Sequence, residues 1–81
     1  MVEVFITNIE KRAQAKGIVK MLGLVFSELK IDFDLDETDL PFPKGHTVLR
    51  VEGQNIDSTE IIRLSREFGI RCEIMENHIP Q

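Results

Sequence analysis

Residues 30–36, Lys-Ile-Asp-Phe-Asp-Leu-Asp, place Ile31, Phe33 and Leu35 in strict alternation with Asp32, Asp34 and Asp36. No other segment of the chain carries so clean a period of two. Successive side chains of a strand point to opposite faces, so this segment reads as a strand with one apolar face and one carboxylate-bearing face. One side of any sheet built on it must be wet.

The remaining periodicities are read around that strand. Val2 to Ile6 is a first strand, in which Val2, Val4 and Ile6 alternate with Glu3 and Phe5. The reading sends Val4 and Ile6 inward and Phe5 outward. From about Lys11 the spacing changes to three and four: Ala15, Ile18, Val19, Leu22, Val25, Phe26 and Leu29 fall on one helical stripe. Gly17 and Gly23 each weaken that helix by about 1 kcal/mol relative to Ala and leave its last turn open. Pro41, Pro43 and Gly45 break any ladder in residues 36–46, which read as a long irregular connection. Thr47 to Glu52 is a strand with Leu49 and Val51 on one side and Val48, Arg50 and Glu52 on the other, ended by Gly53. Asp57 is placed to cap a second helix, with Glu60 three residues on, and Gly69 to stop it. Ile61, Leu64, Ser65 and Phe68 share the face that this helix would bury. Ile70, Cys72 and Ile74 then alternate with Arg71, Glu73 and Met75 in a last strand. The domain is expected to span residues 1–76, with 77–81 as a flexible tail.

Strand, helix, strand, strand, helix, strand is the order that a ferredoxin-like α+β sandwich satisfies. That fold is a four-stranded antiparallel sheet with both helices on one face and right-handed crossovers. The strands then lie in the order four, one, three, two. The expected open face carries Glu3, Phe5 and Thr7 in its middle and the aspartates along one edge, with Asp34 paired across strands to Arg50.

With 81 residues the chain has room for one domain and one core. A net charge of -4 argues against a surface built to displace counterions from nucleic acid, because phosphate neutralisation supplies most nonspecific affinity. One cysteine, Cys72, leaves no intramolecular disulfide and suits a reducing compartment. Glu3 sits where the apolar segment of a signal peptide would begin, and no apolar run approaches the ~20 residues that span a bilayer. The expectation is a soluble cytoplasmic protein without a membrane partner.

Most of the chain, through the phrases TNI, KIDFDLD, LRVEG and REFGIRCEIM, resembles the heavy-metal-associated domain family of small copper- and zinc-handling modules. That family holds a soft cation between the thiolates of a Cys-x-x-Cys pair where the first strand enters the first helix. The corresponding positions here are Lys11 and Gln14. An ammonium or an amide cannot replace a thiolate, so the resemblance implies the scaffold without its metal site. VFITNI also resembles the first-strand signature of the RNA recognition motif, and Lys44, Gly45 and Leu49 agree with part of its third-strand signature. The base-stacking positions of the latter hold His46 and Val48, leaving Phe5 as the one aromatic platform.

Other chemistry is poorly supported. A calcium loop counted from Asp32 would need Gly at the sixth position and Glu at the twelfth, which are Glu37 and Pro43. Alternating aspartates on an edge strand are better explained as a guard against pairing with other molecules. Asp39, His46 and His78 lie in the connection and the tail, where solvated side chains are usual. Cys72 is expected on the inner face, behaving as a small hydrophobe. No glycine-rich phosphate loop follows the first strand, and neither histidine has a nucleophile at recognisable spacing.

The expected function is that of a small non-enzymatic binding or regulatory module, with no cofactor and a protein partner. Residual heavy-metal binding and single-stranded RNA binding are the alternatives, RNA being disfavoured, and homodimerisation through a sheet edge or face stays open. The candidate contact surfaces are the open sheet face, with Phe5, Val48, Arg50 and Met75, and the basic flank of the first helix, with Lys11, Arg12, Lys16 and Lys20.

Overall fold

The computed structural model describes residues 1–35 and 47–75. Its elements are β1 (Val2–Thr7), α1 (Arg12–Val25), β2 (Lys30–Leu35), β3 (Thr47–Glu52), α2 (Ser58–Glu67) and β4 (Cys72–Ile74). The strands form one antiparallel sheet in the order β2-β3-β1-β4. This is the ferredoxin-like arrangement expected from the order of periodicities, with the central pair β1 and β3 aligned from Val2 opposite Glu52 to Thr7 opposite Thr47. Residues 36–46 and 76–81 lie outside the described residues. The readings of the long connection, of Asp36, Asp39, His46 and His78, and of the tail therefore lie outside as well.

The core forms between the helices and one sheet face. Ala15, Ile18 and Leu22 of α1 and Ile61 of α2 meet Phe5, Ile31, Leu49, Val51 and Cys72 of the strands. The face assignment of β1 is thereby reversed from the sequence reading. Phe5 is fully buried beneath the helices, opposite Leu49 on one side and Ile74 on the other. Val2, Val4 and Ile6 point to the side away from the helices. The physical reason is that β1 is apolar on both faces, so alternation alone does not orient it. Pairing with β3 does: Leu49 and Val51 face inward, and the residues opposite them must follow.

Two further expectations change. The register sets Asp32, and not Asp34, opposite Arg50, while Asp34 faces Val48. Arg50 donates instead to Glu52 on its own strand at 3.1 Å. Helix α1 ends at Val25, which is exposed, and Leu29 reaches the core from the following turn. A Cβ on Gly53 would meet the terminal methyl of Leu29, which would have to shift to admit it.

Helix α2 carries its sequence signals into the structure. Asp57 Oδ1 accepts from the Glu60 N–H at 3.2 Å. The Glu60 carboxylate, rather than reaching back, takes the Arg63 guanidinium at 2.7 Å, and that contact holds its carboxyl below the usual carboxylate range. At the other end Gly69 adopts φ 75°, the Gly69 N–H donates to Arg66 O at 2.9 Å and the Ile70 N–H to Ser65 O at 3.0 Å. These are the paired bonds of a Schellman stop. Phe68, expected on the buried face, falls at the stop and is 58% exposed.

Candidate interaction surface

The face of the sheet opposite the helices carries a strip of apolar side chains with a charged row on one side and one carboxylate on the other. Along β1 run Val2, Val4 and Ile6; on β3, Val48 lies opposite Ile6 and Arg50 opposite Val4. Lys30, Asp32 and Asp34 of β2 bound the strip on one side, and Glu73 of β4, opposite Ile6, bounds it on the other. Ile6 itself is only 2% exposed, so Val2, Val4 and Val48 form the accessible part of the strip. Met75 directly follows β4 and is half-buried. Of the residues assigned to this surface, Val48 and Arg50 take their expected places. Phe5 does not, because its ring is on the helix side of the sheet. A stacking platform built on Phe5 is therefore excluded: a base cannot reach a ring that is 0% exposed. Val4, which the sequence reading turned inward, takes the position that Phe5 was given.

The second candidate surface is the solvent side of α1. Lys11, Arg12, Lys16 and Lys20 are all exposed. Arg12, Lys16 and Lys20 are spaced by four residues and line one row along the helix. Lys11 is the N-cap residue, in extended conformation and without a side-chain capping bond, and the first turn carries no acidic residue. The Arg12 guanidinium stands 6.0 Å from the centre of the Phe33 ring, at the outer reach of a cation–π contact. Gln14 is likewise exposed.

Lys11 and Gln14 sit at a junction whose backbone is tied on two sides. The Thr7 hydroxyl donates to Thr47 O at 3.0 Å and accepts from the Ile9 N–H at 3.4 Å. The Thr47 hydroxyl donates to Ile9 O at 2.6 Å. Asn8 donates its N–H to Arg71 O at 3.2 Å and accepts the Arg71 N–H on Oδ1 at 2.9 Å. Both threonines are buried, and among the described residues no buried side-chain polar atom lacks a partner. This clasp holds the start of α1 against β3 and β4. The sequence reading missed it; two threonines at the ends of adjacent strands, 40 residues apart, leave no local signal.

Cys72 is 1% exposed in the core cluster, and burial pushes its thiol up to about 11. The hydrogen bond with Ser65 acts in the opposite direction and is the smaller effect. At neutral pH the side chain is a protonated thiol packed in the core. Among the described residues no three His, Cys, Asp or Glu side chains lie together so as to hold a metal ion, and no helix is long and apolar enough to cross a membrane. Comparison of the chain with protein-family models, with curated proteins and with solved structures finds no match.

Proposed function

We propose that this protein is a small non-enzymatic interaction module that docks a protein partner on the open face of its sheet. The observation that carries the reading is the strip of Val2, Val4 and Val48, which neither helix covers and which Lys30, Asp32 and Asp34 flank on one side and Glu73 on the other. An apolar centre within a polar rim is the anatomy of a protein-binding patch, the centre supplying affinity and the rim orientation. The scaffold is proposed to be of the heavy-metal-associated kind, with Lys11 and Gln14 in place of the thiolate pair, and to work in a reducing, cytoplasmic setting where its lone cysteine stays a thiol. The metal-carrying alternative requires a thiolate, which the burial of Cys72 opposes. The RNA-binding alternative requires the ring of Phe5, which is buried.

The test compares affinity capture, from cells that express the protein, by the wild type and by Val4→Lys and Val48→Lys. Each substitution is made at a half-buried site on the sheet surface, and far-UV circular dichroism checks that the fold survives it. A partner retained by Lys16→Ala and lost from both sheet-face variants is the expected result. A partner lost on Lys16→Ala and retained by the sheet-face variants would move the site to α1 and refute the reading.

A further inference from the structure

Strand β2 is an edge strand: among the described residues its only sheet neighbour is β3. Half of the backbone N–H and C=O groups of its six residues thus face away from the sheet, which makes it a template for another extended chain. Its aspartates guard that edge against most chains, and its charges bias which chain can still pair with it. On the open face they run Lys30, Asp32, Asp34, so a strand carrying the reverse order of sign at its ends is the one that pairs favourably. The same strand from a second molecule, laid antiparallel, presents that order.

We infer that the β2 edge docks a second copy of this chain, antiparallel and centred on Asp32. Counting outward from that centre, Lys30 of each copy lies opposite Asp34 of the other on the open face. Ile31 of each lies opposite Phe33 of the other on the helix side. This register pairs all residues from 30 to 34, whereas centring on Ile31 would pair only 30 to 32 before the strand ends. Phe33 is half-buried at the rim of the core, and an Ile31 side chain across the new ladder covers its open side. The cost falls at the centre, where two Asp32 carboxylates meet. Each has Arg50 as its register partner on β3, and among the described residues Arg50 engages Glu52, with 57% and 40% of the two side chains accessible. An exposed pair of that kind is weak, so Arg50 is available to offset the Asp32 contact. With Glu52, which stands opposite Lys30 and accepts from Arg50, the β2–β3 part of this face of each copy carries two cations and three carboxylates, so Lys30 is the charge on which the pairing depends.

The two-fold axis of such a pair is perpendicular to the sheet, so both open faces look the same way on one eight-stranded sheet. The dimer would therefore present two copies of the proposed docking strip side by side, and this consequence alone rests on the functional reading above. A six-residue edge makes a small interface, and the association belongs to the transient class.

The test is sedimentation equilibrium of the full chain over a concentration series into the millimolar range. The average mass is expected to rise from the monomer toward twice that value. Lys30→Glu replaces two attractive pairs with two repulsive ones and should weaken dimerisation about tenfold. The double variant Lys30→Glu, Asp34→Lys should recover to within about threefold of wild type, and Asp32→Asn should tighten it about threefold. All of these positions are exposed, so the fold survives the changes. A mass that stays monomeric throughout overturns the inference and leaves the open-face reading untouched. A dimer indifferent to Lys30→Glu but lost on Val48→Lys also overturns it, and assigns self-association to the open face instead.

Discussion

Replacing Phe5 and Val4 in turn by alanine tests the orientation of the central strand, on which the location of the interaction surface depends. Phe5 is among the largest fully buried side chains, 0% exposed, and packs within the cluster that joins both helices to the sheet. Truncating a buried Phe to Ala costs about 3–5 kcal/mol, from lost transfer energy and the cavity left behind. A domain of this length has a total stability of about 4–12 kcal/mol, so Phe5→Ala removes a large share of it. Val4 is half-buried on the side away from the helices, and its truncation costs about 1 kcal/mol. With a urea slope of about 1 kcal/mol per molar for a small domain, the midpoint falls by about 3 M or more for Phe5→Ala and about 1 M for Val4→Ala. The chain has no Trp or Tyr, so the transition is followed by far-UV circular dichroism and not by intrinsic fluorescence. Should Phe5→Ala prove unfolded without urea while Val4→Ala stays folded, its loss already exceeds that of Val4→Ala and the assignment stands. A midpoint loss for Phe5→Ala no larger than for Val4→Ala would refute the assignment and return Phe5 to the surface.

Other substitutions probe the supports of the site. Thr47→Val removes the hydroxyl that donates to Ile9 O, strands a buried carbonyl and should cost about 1–3 kcal/mol in urea denaturation. Amide exchange at Ile9 should accelerate more than at Ile31, because the clasp is local. Gly69→Ala forces a side chain into φ 75° and should cost about 1 kcal/mol in the same assay, while Gly17→Ala, where an added Cβ meets nothing, should stabilise. The Cys72 thiol, raised from 9.0 to about 11 in the folded chain, holds its proton after the unfolded chain has lost it. Its contribution to stability is therefore complete below about pH 9 and is lost as pH rises toward 11. The difference in stability between wild type and Cys72→Ala should shrink over that window; a constant difference would show that the thiol is not shifted.

How legible the molecule was differs from element to element. Helix α2 was written out locally: Asp57 before it, Glu60 in its first turn and Gly69 after it each act within a few residues, through bonds to neighbouring backbone. Strand β2 was equally plain, because its apolar and charged residues segregate completely. Strand β1 was misread because Val2, Val4 and Ile6 form one apolar row and Phe5, with the buried Thr7, forms another. Phe68 was misread because periodicity cannot say at which residue a helix stops, and the Schellman bonds place it just past the end. The basic row of α1 was legible as the solvent side of an amphipathic helix, although its contact with the Phe33 ring was not.

The sequence by itself determined the succession of elements, the sandwich that this succession implies and the wet face of β2, since each follows from spacing within a single segment. The tertiary structure alone decided which face of β1 is buried, which aspartate stands opposite Arg50 and how Thr7, Thr47, Asn8 and Arg71 clasp the start of α1. All three depend on pairings between segments tens of residues apart. A strand that is apolar on both faces can be inserted either way round until its neighbours impose a register. Here β3 brings Leu49 and Val51 to the helix side, carries Phe5 with them and leaves Val4 and Val48 outside.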